Sequence, residues 1–350
     1  MSADTRIRAA WEGRVSGCQL GKPVELLSMR HGHEELTGYL RRAGALPLRD
    51  YVPDLGDERI DGRCCRDRLV RAEADDDLDY SLLALELLEE HGLDLDTVDV
   101  ARAWLRRMPA GRTYTAERAA YTTLLAKGAE WFPEGAEPGF DLDECAANPY
   151  REWIGAQIRA DFYGWVLPGR PAEAAALAER DARLSHRDAG VDGARFVAAL
   201  GAALAVSPLV PAVDEALSLL PAGGAAAEAV RLGQELAGDP SGGEAIRDRY
   251  AELSPVHTVN NLALVVWSLL SHPDDFGAAI GEVVAAGLDT DCNGATVGAL
   301  WGLHRGEIPA AWTAPWRGRV GFSLAGVPEL DLDELVDRTV ALVDRFAPAS

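Results

Sequence analysis

Two short runs of acidic side chains stand out by residue type and spacing. The first is Glu73-Ala74-Asp75-Asp76-Asp77-Leu78-Asp79, directly ahead of an apolar, helix-forming stretch. Helix capping accounts for one or two aspartates there, because a carboxylate accepts from free N–H groups and suits the helix dipole. Three in a row and a fourth two positions on repel one another, and a bound cation would offset that repulsion. The second run is Gly287-Leu288-Asp289-Thr290-Asp291-Cys292-Asn293-Gly294. Its Asp-x-Asp spacing in a glycine-bounded turn lets two carboxylates converge on one point, and the helix expected after it offers free N–H groups to an anion. A plain cap at Asp291 or Asn293 is the alternative. Should the two runs meet in space, their oxygens make a site for a hard cation, with Mg²⁺ the first choice.

A third segment, Trp11 to Glu25, carries Gly13, Gly17 and Gly21 four residues apart. That spacing bares one face of a helix to close approach by another backbone. Pro23 should then stop the helix and leave Glu25 in the turn beyond, where a solvated surface position is the ordinary expectation.

The elements that must position these groups read as helices. Leu78 to Leu88 runs through strong helix formers to a terminating Gly92, and further apolar-periodic stretches cover Ala194 to Ala205, Val259 to Ser271, Phe276 to Ala286 and Ala295 to His304. Strand-like runs are nearly absent. Many Ala and Gly residues allow close axis packing, so the expectation is an all-α, single-domain orthogonal helical bundle spanning residues 1–350. Long loops are expected near 43–65 and 132–148, where Pro and Gly accumulate.

The chain of 350 residues carries 34 Lys and Arg against 56 Asp and Glu, a formal net charge of −22. This balance leaves no basic stripe for nucleic acid or an anionic membrane and favours a small ligand or a cation as partner. Cys18, Cys64, Cys65, Cys145 and Cys292 lack zinc-ligand spacing and read as reduced thiols. The charged N-terminal stretch lacks a signal-peptide core, and a cytoplasmic location is expected.

Together and in this order, GRVSGCQLGKPVE, ADDDLDYSLLALELLEEHG and GLDTDCNGATVGALWGLHRG resemble the ADP-ribosylglycohydrolase family, with its glycine-spaced first helix and Glu, its Thr-Asp-Asp-Thr metal motif, and its Gly-Asp-Thr-Asp-Thr motif. IGAQIRADFYGWV and LSHRDAGVDGARFVAAL resemble the family's Gly-rich loop leading to an Arg and its Ser/Thr-His segment. The similarity spans about residues 8 to 306. It implies an all-α fold, Mg²⁺ as cofactor (two ions, with Mn²⁺ as a substitute), and cleavage of a glycosidic bond at the ribose anomeric carbon of an ADP-ribosylated protein or a small ADP-ribose derivative. Carried over, the metal carboxylates are Asp289 and Asp291 with Asp75 and Asp76, or with Asp76 and Asp77 in the other register; Glu25 and Asp76 take the catalytic roles. Gly155, Gln157, Arg159, His186 and Asn293 become candidate substrate contacts, against the plainer readings of Arg159 paired with Asp161 and of His186 as a surface or capping residue. Arg112 to Arg118 could line the substrate mouth, Trp153, Tyr163 and Trp165 could stack on an adenine or pack in the core, and Asn260 or Asn261 could cap a helix. Cys18 stands where the family has an Asp, and Cys292 where it has a metal-binding Thr. A thiol is a poor Mg²⁺ ligand, so one ion is expected to be held more weakly or through water. The alternatives are a hydrolase of a small N- or O-riboside or nucleotide-derived metabolite, and a non-catalytic ADP-ribose-binding protein.

Overall fold

A computed structural model describes residues 1–348. Helices account for nearly all regular structure, and among the described residues the only strands are the short antiparallel pair Arg319–Gly321 and Glu329–Asp331, with Val320 opposite Leu330. The fold is all-α.

At the centre, the first helix (Ala3–Gly21) lies antiparallel along the helix Thr290–Arg305. The glycine repeat explains how closely. A Cβ on Gly13 would stand 2.0 Å from the Gly298 carbonyl oxygen, one on Gly17 1.9 Å from that of Gly294, and one on Gly21 2.2 Å from that of Thr290. Gly298 and Gly302 meet Gly13 and Ala9 in the same way from the other side. Backbone packs on backbone along four turns, and the two acidic segments that flank this pair inherit a fixed geometry.

The apolar runs form the expected helices with small shifts at their ends: Asp76–His91, Ala189–Leu204, Thr258–Ser271 and Phe276–Ala285. Two boundaries differ from expectation in ways that matter. The C-terminal acidic run is not a loop ahead of a helix beginning near Ala295: the helix starts at Thr290, with Asp289 at the N-cap position, so Asp291, Cys292 and Asn293 occupy its first turn. Pro23 does not leave Glu25 in a solvated turn. It sits in a single 3₁₀ turn, Lys22–Val24, and Glu25 opens the next helical segment, Glu25–Arg42, which is broken at Gly32. The segments near 43–65 and 132–148 are loops carrying only short 3₁₀ turns. Among the described residues no helix is long and apolar enough to cross a membrane.

Candidate active site

Three parts of the chain deliver carboxylates to one cleft of about 740 Å³: Glu25 after the first helix, Asp75 and Asp76 at the head of the Asp76–His91 helix, and Asp289 and Asp291 at the head of Thr290–Arg305. Each is held by a specific local device. Gln19 uses both ends of its amide on the backbone of Glu73, accepting from its N–H at 2.8 Å and donating to its C=O at 3.0 Å, which fixes the approach to the first acidic run. The strand pair helps from the other side, since the Ala72 N–H donates to the Arg319 carbonyl and the Gly321 N–H to that of Ala72. Asp75 then caps the helix by accepting from the Asp77 N–H at 3.0 Å.

The second acidic run is pinned by Asn261, whose Nδ2 donates to the Pro255 and His257 carbonyls while its Oδ1 accepts from the Asp289 N–H at 3.2 Å and from Asn293 Nδ2 at 2.7 Å. Asn261 is therefore a brace for the acidic turn and not a simple cap. Thr290 Oγ1 donates to the Gly21 carbonyl and Ser28 Oγ to that of Leu288, tying the turn to both ends of the Lys22–Val24 connection.

Three donor sets lie within 4.8 Å internally: Glu25, Asp289 and Asp291; Asp77, Asp291 and Cys292; and Cys18, Asp75 and Asp77. The runs do converge, across more than 200 residues of sequence. Apart from Glu25 and the half-buried Asp76, these carboxylates are nearly closed off from water, and Asp289 Oδ1 and Asp77 Oδ2 are buried with no hydrogen-bond partner. Unpartnered buried carboxylate oxygens are costly unless a cation meets them. The electrostatics agree. Burial, followed by the neighbouring carboxylates, pushes Glu25, Asp76, Asp77 and Asp289 well above the usual carboxylate range, and Asp291 rises for the same reasons. Asp75 goes the other way: burial opposes its charge, yet the Lys22 ammonium beside it holds its pKa below normal. The donors suit a hard cation in their oxygens; the thiols of Cys18 and Cys292 do not, and burial pushes both thiols well up, keeping them protonated.

Several expected ligand contacts lie elsewhere. Arg159 does not line the cleft and does not pair with Asp161. It is 1% exposed, with Nη1 on Glu117 at 2.7 Å and Nε on Asp181 at 2.6 Å, its guanidinium over the rings of Tyr80 and Trp104. Asp161 pairs instead with Arg14 at 2.7 Å. His186 is neither surface nor cap: it is fully buried, with Nδ1 on Ser185 Oγ at 2.7 Å. Gln157 and Asn293 are likewise buried and absent from the lining, which leaves Gly155 alone among those five candidates at the cleft wall. Trp153 also lines it, whereas Tyr163 and Trp165 belong to the core.

The cleft also contains groups that local sequence patterns do not mark. Glu117 reaches it from the helix Thr115–Lys127, its carboxylate lying where a Cβ on Gly155 would have to go. Lys22 lies within it, and Arg30, Arg59 and Arg112 stand along its wall with Tyr114. The Arg112–Arg118 segment does reach the cleft, through Arg112, Tyr114, Thr115 and Glu117.

The family profile described as ADP-ribosylglycohydrolase matches residues 1–348, the whole of the described chain. The chain belongs to the ADP-ribosylglycohydrolase family. It is accordingly a glycosidic hydrolase, of a family that acts on ADP-ribosyl substrates. A solved structure titled "ADP-ribosylglycohydrolase-related protein complex" superposes with a TM-score of 0.60 over 98% of each chain at 21% identity, a likeness of fold. A comparison with curated proteins returns no match. For an ADP-ribosylglycohydrolase, the glycine-matched helix pair is the frame that brings the N-terminal and C-terminal acidic motifs to a single cleft.

Proposed function

We propose that this glycohydrolase cleaves the bond at the ribose anomeric carbon of ADP-ribosylated substrates with the help of a divalent cation, Mg²⁺ by preference. One observation carries the reading: Glu25, Asp75, Asp76, Asp289 and Asp291 line one cleft, and Asp289 Oδ1 is buried there without a partner. A divalent ion held by carboxylates of this cleft would supply charge to grip ribose hydroxyls and to polarise water.

The remaining work falls to the chain's own side chains. Glycoside cleavage passes through an oxocarbenium-like transition state, and the dense negative charge of the cleft favours that developing cation. Glu25, half-buried at the cleft wall, has two carboxylate oxygens, so that one can face the ion while the other takes the proton of an attacking water or orients the ribose. Among the described residues Arg30 and Arg112 form no ion pair with a carboxylate, and Arg112 Nε is buried and unpaired, which supports a role in holding phosphates. Trp153 and Tyr114 offer faces for an adenine.

The test is a panel of ADP-ribosyl-arginine, ADP-ribosyl-serine, O-acetyl-ADP-ribose and free nucleotides, assayed with wild type, Glu25→Gln and Asp289→Ala. Release of ADP-ribose by wild type, with losses of 100-fold or more in both variants, supports the reading. Equal turnover in all three proteins overturns the site. Tight ADP-ribose binding with no turnover of any substrate indicates a binder.

A further inference from the structure

The two ends of the acidic cleft differ in how their charge is met. At one end stand Cys18, Asp75 and Asp77; at the other, Glu25, Asp289 and Asp291. At the first end Asp75 already has its counter-charge, while Asp77 keeps one oxygen, Oδ2, without a partner. Lys22 Nζ donates to Asp75 Oδ2, with the lysine side chain only 11% exposed and the aspartate 2%. Asp75 Oδ1 is occupied in turn by the Asp77 N–H. Arg14 Nη2 lies 3.4 Å from Asp77 Oδ1 while its Nη1 binds Asp161. The third donor at this end, Cys18, is a thiol, and sulfur has little affinity for a hard cation. At the other end, among the described residues, no basic side chain forms an ion pair with Glu25, Asp289 or Asp291, and Asp289 Oδ1 has no partner at all.

We infer that the Lys22 ammonium is a built-in cation for the Asp75 end of the cleft, so that the protein takes up one divalent ion, at Glu25, Asp289 and Asp291, and not two. A primary ammonium on a short tether after the first helix delivers a positive charge and three N–H donors to a carboxylate without requiring a metal. It fills the place at which a second ion would need Asp75, and its charge disfavours another cation beside it. The inference rests on the reading of the cleft as a cation site.

Mn²⁺ titrated into metal-stripped protein, followed by equilibrium dialysis and electron paramagnetic resonance, reads stoichiometry without any turnover. Wild type and Lys22→Arg should each bind one ion per chain with a resolved six-line spectrum of an isolated Mn²⁺. Lys22→Met, which frees Asp75, should bind a second ion, with loss of the isolated-ion signal. Two ions in wild type, or a Lys22→Met protein that still binds one with unchanged affinity, would overturn the inference and leave the cation reading intact. No ion bound by wild type would overturn both. Should Lys22→Met not fold, anomalous diffraction from Mn²⁺-soaked wild-type crystals decides alone: one peak among Glu25, Asp289 and Asp291 supports the inference, and a second peak at Asp75 overturns it.

Discussion

The molecule contains two groups of buried carboxylates, and they are finished differently. Around Arg159, Glu117 and Asp181 share one guanidinium, Tyr163 donates its hydroxyl to Asp181 at 2.5 Å, and Ser185 and His186 close the network. At the acidic cleft, among the described residues, Glu25, Asp76, Asp289 and Asp291 form no ion pair with a basic side chain, and Lys22 bonds directly to Asp75. Buried charge that is matched from within is structural; buried charge left unmatched at an open cleft is prepared for something from outside. This contrast is why Arg159, read from the sequence as a ligand contact, is better understood as a strut behind Glu117.

The contrast can be broken most severely at the matched group. Arg159→Met strands Glu117 and Asp181 and should destabilise the fold by about 3–5 kcal/mol in urea denaturation, with no dependence on divalent ions. A smaller loss with rescue by Mg²⁺ would blur the distinction. Next in size is Gly17→Ala, which forces a methyl onto the Gly294 carbonyl; about 3 kcal/mol of stability should be lost. Because the same helix pair sets the acidic turn, Mg²⁺ binding should weaken with it.

At the cleft, saturating Mg²⁺ should raise stability by about 2.7 kcal/mol when present at 100 times its dissociation constant. Asp289→Asn should abolish that rise while leaving the ion-free protein as stable as wild type or more so, because it removes one member of a mutually repelling set. Thermal melts with and without Mg²⁺ separate the two terms. The smallest effect is a pH dependence. Burial and then Arg159 hold the pKa of His186 well below its usual value, so it is neutral in the fold, whereas the unfolded chain takes up the proton near pH 6.5. Its contribution is therefore complete above about pH 6.5 and is lost as pH falls below that, and His186→Gln should flatten this part of the stability profile.

Much of this was legible in the sequence, because it is local. The glycines at 13, 17 and 21 announce a close helix contact, and the aspartates at 75–77 and those at 289 and 291 each fall within a single turn. What was not legible depends on partners far apart. Lys22 meets Asp75 across 53 residues and Arg159 meets Glu117 across 42, so neither pairing leaves a spacing signature. For Glu25 the local pattern and the resemblance pointed different ways: a Glu two residues past a proline looks solvated, whereas the resemblance puts it at the ribose, and through the 3₁₀ turn Lys22–Val24 it does line the cleft. Glu117 lies in the Arg112–Arg118 segment expected at the mouth, but nothing in its neighbours marks it as the carboxylate packed on Gly155.

Calorimetric titration of Mg²⁺ into metal-stripped wild type, with Asp289→Asn alongside, tests the central claim most directly. Saturable binding to wild type that disappears in the variant is the result this account predicts. No binding to wild type, or the same binding in both proteins, would contradict it.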